Sequence, residues 1–189
     1  MTRRNAPPPP TAWHTIGPFF PCGLAAPALA VLTREGQAGE AIILEGQVED
    51  GAGPFSNAIV EISQADAAGH LPGDTGADPD FAFWGRAATD GAGRFAFRTL
   101  RPGRQADQAG PRAPVFDVAL IGSGIMRRLL TSFFLPGDAA NATDPVWCAV
   151  PARLRPRLLL EPRAARDGLP VFHAAIRLKG LAATPFFRD

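Results

Sequence analysis

The 189-residue chain has a formal net charge of +1, with 46% hydrophobic and 20% charged residues, a balance typical of a globular domain with a buried core. A chain so close to neutral gives no electrostatic reason to expect nucleic-acid binding, and no apolar run approaches the roughly 20 residues that cross a bilayer. Arg3 and Arg4 precede prolines rather than the apolar segment of a signal peptide, so we expect a cytoplasmic protein.

The chain opens with an arm-like segment. The first ten residues, MTRRNAPPPP, contain four consecutive prolines, which lack backbone donors and favour an extended conformation. They predict a flexible proline-rich arm, followed by one domain over residues 11–189. Directly after the prolines, TAWHTIGPFFPCGL at 11–24 gathers aromatic residues around a Gly17-Pro18 turn. This segment lies too close to the terminus to be an obvious core strand.

Beyond the arm, runs of apolar and β-branched residues alternate with Gly, Pro and Asp clusters, which predicts many short strands. The Asp-Gly-Ala-Gly turn at 90–93 is expected to close a hairpin between the third and fourth of them. Segment 144–163 is the best candidate for a short helix, broken by Pro151 and Pro156. Many strands with little helix predict an antiparallel sandwich or barrel. The predicted strands are 41–48, 57–66, 83–89, 94–99, 114–124, 127–135 and 170–180.

Local motifs for catalysis or metal binding are missing from the sequence. His14, His70 and His173 lie far apart and are expected to be surface or hydrogen-bonded residues. There is no nucleophile elbow, phosphate-binding loop or Cys/His cluster, and both Asp-Gly-Ala-Gly copies fit turns better than calcium loops. Cys22 and Cys148 are expected to be reduced thiols packed as small apolar groups. The residues by themselves predict only a β-rich domain with an aromatic arm.

Five motifs in a fixed order carry a resemblance that covers nearly the whole chain, 11–189. They are TIGPFF within 11–24, GQVEDGAG opening 46–69, FWGRAATDGAGRFAFRTLRPG at 83–103, GIMRRLLTSFF at 124–134 and IRLKGLAATPFF at 176–187. Together they resemble the intradiol ring-cleaving dioxygenases, and most closely the α chains of two-chain members. The resemblance implies an all-β antiparallel sandwich with an N-terminal arm and little helix.

The resemblance also implies where a metal would be held. Catalytic chains of the family bind a non-haem ferric ion through two tyrosines and two histidines, and those positions fall here on Leu71, Gln105, Val115 and Asp117. The chain has 13 phenylalanines and no tyrosine, so it cannot supply the family's ligand set. The implied cofactor is Fe³⁺ bound by a homologous β chain in a hetero-oligomer, with no metal and no catalytic residue in this chain. Alone, the chain is expected to be inactive.

A contribution to the partner's substrate pocket is implied for the arm. The resemblance assigns pocket-lining roles to Thr15, Gly17, Pro18 and Phe19, because a Gly-Pro turn brings backbone close to a flat ligand and a phenyl ring supplies a rigid wall. Ile16 and Phe20 would support them. The alternative is that Phe19 and Phe20 only anchor the arm on this chain's own sandwich.

Possible pocket or interface residues also lie in the segment 122–128. Ser123 stands where many α chains carry an arginine, and the role of that cation would pass to Arg127, Arg128 or the partner chain. The alternative for both arginines is an exposed strand face.

Two other functional hypotheses remain open. The chain could be a stand-alone β-sandwich binding module that has lost the family's chemistry, since a fold does not determine a function. It could also be a diverged metalloenzyme that uses His14, His70 and His173.

Overall fold

Eight strands form two four-stranded sheets in the computed structural model, which describes residues 11–12, 14–17, 23–24, 26–106 and 110–187. Sheet A has the order β4-β1-β8-β7 and sheet B the order β3-β2-β5-β6. All pairs are antiparallel except β1 with β8, which is parallel. The strands are β1 (Ala41–Glu49), β2 (Ala58–Ser63), β3 (Trp84–Ala88), β4 (Arg94–Leu100), β5 (Val115–Gly122), β6 (Leu129–Phe134), β7 (Glu161–Arg166) and β8 (Leu169–Arg177).

The core fills the space between the two sheets. Alternate residues of β1 point inward, and the largest buried rings come from both sheets, among them Phe97 of β4, Phe116 of β5 and Phe133 of β6. Period-two patterning of this kind buries one face of each strand. The predicted all-β sandwich with little helix is confirmed.

The predicted hairpin at 90–93 is wrong. The turn itself forms, because the Asp90 carboxylate accepts the backbone N–H groups of Ala92 and Arg94. However, β3 pairs with β2 in sheet B, whereas β4 pairs with β1 in sheet A, so the turn carries the chain from one sheet to the other. An Asp-Gly turn determines a local reversal of direction, and the partner of each flanking strand depends on burial across the whole domain.

Segment 144–163 is helical only in part. The α-helix α1 (Pro145–Ala149) begins at the Asp144 N-cap, and a 3₁₀ helix at Arg155–Leu158 follows the break at Pro151. The end of the segment belongs to β7, which the sequence prediction missed because all six of its residues are exposed and show no apolar alternation. In the part of the chain that the structure describes, no helix is long and apolar enough to span a bilayer.

The β7 strand lies at the edge of sheet A and is joined to β8 by a tight turn. Asp167 and Gly168 both have positive φ, +53° and +77°, as a two-residue hairpin turn requires. The register of β7 against β8 shifts between Arg163 and Arg166, and Pro162 has no N–H to offer. A proline, a bulge and exposed charges all disfavour pairing of this edge with another strand.

Cys148 is not packed as expected. Its side chain is exposed on α1, where the thiol lies 3.3 Å from the Ala142 carbonyl oxygen. The burial prediction fails because Cys148 points away from the face of α1 that carries Trp147 against Phe134. Cys22 lies outside the described residues.

Candidate functional site

Thr15, one of the arm residues predicted to line a pocket, lies at one end of sheet B, where it contacts the turn between β5 and β6. The Thr15 hydroxyl oxygen accepts a hydrogen bond from the Gly124 backbone N–H at 2.7 Å. Thr15 and Gly17 are exposed and Ile16 is half-buried. Pro18, Phe19 and Phe20 lie outside the described residues, so their roles stay predictions.

The β5–β6 turn, residues 122–128, has a conformation that depends on two glycines. Gly124 has φ +81°, which favours glycine, and a side chain at Gly122 would bring a Cβ to 2.5 Å from the ring of Phe55. The Ser123 N–H donates to the Asn57 carbonyl oxygen at 3.1 Å. The turn therefore holds a fixed shape against which the arm can lie.

The same turn presents Met126, with 51% of its surface exposed, beside the exposed Arg127 and Arg128. Sequence reasoning treated the arm and this turn as separate candidates and did not single out Gly124 or Met126. The structure brings the two segments together through the Thr15–Gly124 hydrogen bond. We define the arm–turn surface as residues 14–17 together with 122–128.

We expect Thr15→Val to loosen the arm without destabilising the domain. Valine keeps the shape of threonine but cannot accept the Gly124 N–H, and a hydrogen bond of this kind contributes about 1 kcal/mol. Amide exchange at Gly124, followed by NMR, should become about fivefold faster, while the melting temperature of the domain stays close to that of the wild type. Thr11→Val, at an exposed threonine of the same arm, is the control. Unchanged exchange at Gly124 in T15V would contradict the contact.

A groove of about 300 Å³ crosses the outer face of sheet B next to the arm–turn surface. Arg128 links the two features, since it belongs to the turn and lines the groove. Trp84, which is 40% exposed, lies under the Arg86 guanidinium at 4.9 Å, and Arg86 donates to the Glu61 carboxylate at 2.9 Å. The groove is thus bordered by both apolar and charged groups, and Leu130, Val146 and Phe187 complete its apolar lining.

Of the four family ligand positions, Asp117 lines this groove. Val115 and Asp117 are two apart on β5 and so share the outer face of sheet B. The loop that carries Leu71 packs against the segment before Gln105, where the Gly103 N–H donates to the Asp66 carbonyl oxygen at 2.8 Å.

The residues at these positions do not fit a ferric site. Leu71 and Val115 have no ligand atom, and Val115 is fully buried in an apolar cluster with Phe134 and Leu158. Both oxygens of Asp117 accept hydrogen bonds from within the chain. Within the described residues, no group of three His, Cys, Asp or Glu side chains is placed to hold a metal ion.

Arg112 occupies the space beside Asp117. Its guanidinium donates to both carboxylate oxygens of Asp117, at 2.9 and 3.3 Å, and to Asp144 at 3.3 Å. Burial alone would lower the pKa of Arg112, but the adjacent charges of Asp117 and Asp144 raise it above its usual value. The sequence Asp144-Pro145 is typical of the start of a helix, so the N-cap was predictable. The contact of Asp144 with Arg112 was not, because the two residues are far apart in the sequence.

A buried carboxylate organises the loop that carries Leu71. Asp66 is 3% exposed and accepts the backbone N–H groups of Ala68, His70 and Asp78 at 2.8 to 3.1 Å. The His70 ring nitrogen Nδ1 lies 3.3 Å from the same carboxylate. Burial by itself raises the pKa of Asp66, but the backbone hydrogen bonds outweigh this effect, so the pKa lies below its ordinary value.

We expect Asp66→Asn to destabilise the chain most at neutral pH. The folded pKa of Asp66 is below the unfolded value of about 3.9, so its contribution is present above that pH and is lost as the pH falls through the folded pKa. The difference in unfolding free energy between wild type and D66N should be about 1–3 kcal/mol at pH 7 and shrink below about pH 4. Urea unfolding at several pH values measures it. A difference that stays constant down to pH 2 would contradict the role of the carboxylate.

The three histidines lie in separate places. His14 is exposed in the arm, His70 contacts Asp66, and His173 lies on the outer face of sheet A next to Glu45. Burial and the nearby Arg163 charge lower the pKa of His173, partly opposed by Glu161 and Glu45. This arrangement does not favour a shared metal site.

The larger hollow, about 700 Å³, contains none of the predicted pocket, interface or ligand-position residues, and His173 is the one histidine of the metalloenzyme hypothesis in its lining. It is lined by His173, Glu45 and Arg166 of sheet A together with Arg86 of sheet B, and Arg166 pairs with Glu45 at 2.9 Å. We favour the smaller groove as the functional region because it contains Asp117 and Arg128 and adjoins the arm–turn surface.

Comparison with known proteins gives consistent matches. The sequence model of the family described as dioxygenase matches residues 17–180. The chain is 34% identical to the protocatechuate 3,4-dioxygenase alpha chain of Burkholderia cepacia, over 94% of this chain and 96% of that one, and 33% identical to the alpha chain of Pseudomonas putida, over 95% and 96%. It is also 35% identical to the B. cepacia beta chain, over 79% of this chain and 69% of that one.

Solved structures agree on the fold. The dioxygenase domain of a carbohydrate-binding fusion protein from Streptomyces sp. SirexAA-E superposes with a TM-score of 0.61 at 25% identity, covering 78% of this chain and 86% of that chain. The 3-chlorocatechol 1,2-dioxygenase of Rhodococcus opacus 1CP gives a TM-score of 0.64 at 24% identity, covering 82% and 64%.

Proposed function

Because the chain belongs to the intradiol ring-cleavage dioxygenase family, we propose that it is the non-catalytic α subunit of a protocatechuate 3,4-dioxygenase. Its partner would be a homologous β chain that holds ferric iron. The reaction would be the O₂-dependent opening of 3,4-dihydroxybenzoate to 3-carboxy-cis,cis-muconate in aromatic catabolism by the β-ketoadipate pathway. Bound iron would supply the activation of the catecholate, and this chain would supply assembly and part of the pocket wall.

The absence of tyrosine carries this proposal, together with the residues at the four ligand positions. Tyrosinate is the hard anionic donor that favours ferric iron, and no register shift in the alignment can supply one here. The match to two α chains over nearly their whole length supports the α rather than the β assignment. A chain that lacks the ligands but keeps the whole sandwich fits a subunit that contributes shape.

The arm–turn surface is the part of the chain that we assign to the partner's pocket. Thr15 fixes the backbone just before Gly17 to Gly124, and the proposed pocket wall of Gly17, Pro18 and Phe19 follows this fixed point in the sequence. Met126, Arg127 and Arg128 lie beside that point and would contact the β chain. In this arrangement the cation that relatives carry at the position of Ser123 is supplied by Arg127, by Arg128 or by the partner.

Co-expression tests the pairing. The β chain to use is one from a neighbouring reading frame that carries both tyrosines and both histidines, with a tag on the α chain alone. We expect the two chains to co-elute from size-exclusion chromatography as a coloured complex that cleaves 3,4-dihydroxybenzoate, and the α chain alone to be colourless and inactive. The B. cepacia α and β chains provide the positive control. An α chain that elutes as a separate monomer from the mixture would instead support a stand-alone binding module.

A further inference from the structure

Outside the arm–turn surface, three side chains form a charged cluster: Arg112, Asp117 and Asp144. The Arg112 side chain is 11% exposed and Asp144 is fully buried. Asp144 accepts from Arg112 Nε, from the Ala113 N–H at 3.0 Å and from the N–H groups at the start of α1. Arg112 and Asp144 are therefore buried together, whereas the Asp117 side chain, which is 41% exposed, lies at the solvent-facing side of the cluster.

The cluster lies among the family ligand positions. Asp117 occupies one of the histidine positions and also accepts the Ser132 hydroxyl at 2.6 Å. The backbone of Arg112 exchanges two hydrogen bonds, 3.1 and 2.9 Å long, with the backbone of Gln105, which occupies a tyrosine position. The Arg112 guanidinium thus lies beside one of these positions, and the Arg112 backbone beside another.

We infer that the Arg112 guanidinium supplies the positive charge beside Asp117 and Asp144. It takes the electrostatic role that a metal ion has in iron-binding members of the family. A carboxylate buried without a counter-charge is strongly destabilising. A planar guanidinium binds a carboxylate through two parallel hydrogen bonds, as Arg112 does with Asp117, and it stays charged at all physiological pH values. Because Arg112 is the counter-charge for these carboxylates, the chain does not need an iron ion in order to fold.

The hydrogen bonds of Asp117 leave neither of its oxygens without a partner inside the chain. Asp117 is the only carboxylate at the four ligand positions, and both of its oxygens are engaged by Arg112 and Ser132. The chain would not compete for iron with an iron-binding partner. The inference concerns the isolated chain and holds whether or not the proposed pairing is correct.

Thermal unfolding of Arg112→Met tests the inference. Methionine keeps much of the apolar stem and removes the charge, so Asp117 and Asp144 lose their counter-ion. We expect the melting temperature to fall by on the order of 10 °C. The matched control is Arg94→Met, which removes an arginine from an exposed ion pair with Asp90 and should change the melting temperature by less than about 2 °C.

A double-substitution cycle with Asp117→Asn separates charge pairing from packing. If the pair is electrostatic, R112M/D117N should lose several degrees less than the sum of the two single variants. Additive losses, or an R112M variant within about 2 °C of the wild type, would overturn the inference. If R112M does not fold, D117N and Arg112→Lys replace it. Both should be destabilised more than R94M, and stabilities equal to that of R94M would overturn the inference.

Metal binding is the second measurement. Equilibrium dialysis of the purified wild-type chain against ferric citrate, and separately against Zn²⁺, should leave well below one equivalent bound. Binding of one equivalent that D117N abolishes would show that Asp117 is open to a metal despite Arg112, and would overturn the inference.

Discussion

Replacing Gly69 by alanine should destabilise the chain by about 2–5 kcal/mol, the sum of a backbone and a packing term. Gly69 has φ +93°, a conformation that costs an L-residue about 1–2 kcal/mol. A Cβ at this position would also lie 1.8 Å from the Arg104 carbonyl oxygen, and that oxygen belongs to backbone that cannot rotate away. The two segments that carry Leu71 and Gln105 would have to separate.

Gly73→Ala is the matched control for this effect. Gly73 has nearly the same φ, +91°, but no atom lies within 4 Å of the position where its Cβ would be placed. It should therefore show only the backbone cost of about 1–2 kcal/mol. Urea unfolding of both variants gives the difference directly. Equal losses in G69A and G73A would contradict the packing term, because a Cβ at Gly69 would then fit without separating the two segments.

Phe19→Ala should weaken substrate binding in the assembled two-chain enzyme while leaving its iron content unchanged. If the ring forms a wall of the partner's pocket, its loss should raise KM for 3,4-dihydroxybenzoate about tenfold, which corresponds to the contact energy of one aromatic ring. Iron content should not change because no residue of this chain holds the metal in the proposed enzyme. Steady-state kinetics and metal analysis of the same preparation make the measurement.

The alternative role of Phe19 and Phe20 as anchors gives a different result. In that case F19A would lower the melting temperature of the isolated α chain and leave the kinetics of the complex normal. Phe20→Ala is the internal comparison, since Phe20 is expected to support the arm rather than to face the substrate. Normal kinetics in F19A would exclude the wall role.

Local patterns in the sequence were sufficient for most of the sandwich. Apolar and β-branched runs followed by turn residues predicted β1, and the apolar runs before and after the glycines at 122 and 124 predicted the antiparallel pair of β5 and β6. The pattern failed where a strand is not buried on either face, as in β7, because solvent exposure removes the alternation. It also failed at 90–93, since a turn determines direction and the choice of sheet depends on contacts distant in sequence.

The candidate site was predictable only as separate segments. The sequence indicated the arm, the 122–128 turn and the loss of the iron ligands, and no local rule connects residues as distant as Thr15 and Gly124. The pairing of Arg112 with Asp117 and Asp144 was missed for the same reason: its members come from a loop, a strand and a helix cap. Such clusters depend on the tertiary fold, which places them together after the strands have paired.

The most direct test of the account is the iron content of the purified two-chain complex, measured by mass spectrometry and normalised to the amount of each chain. An α subunit without a metal site, paired with an iron-binding β chain, predicts about one iron per α–β pair and none retained by the α chain after the two are separated. Two irons per pair, or iron that stays with the isolated α chain, would contradict it.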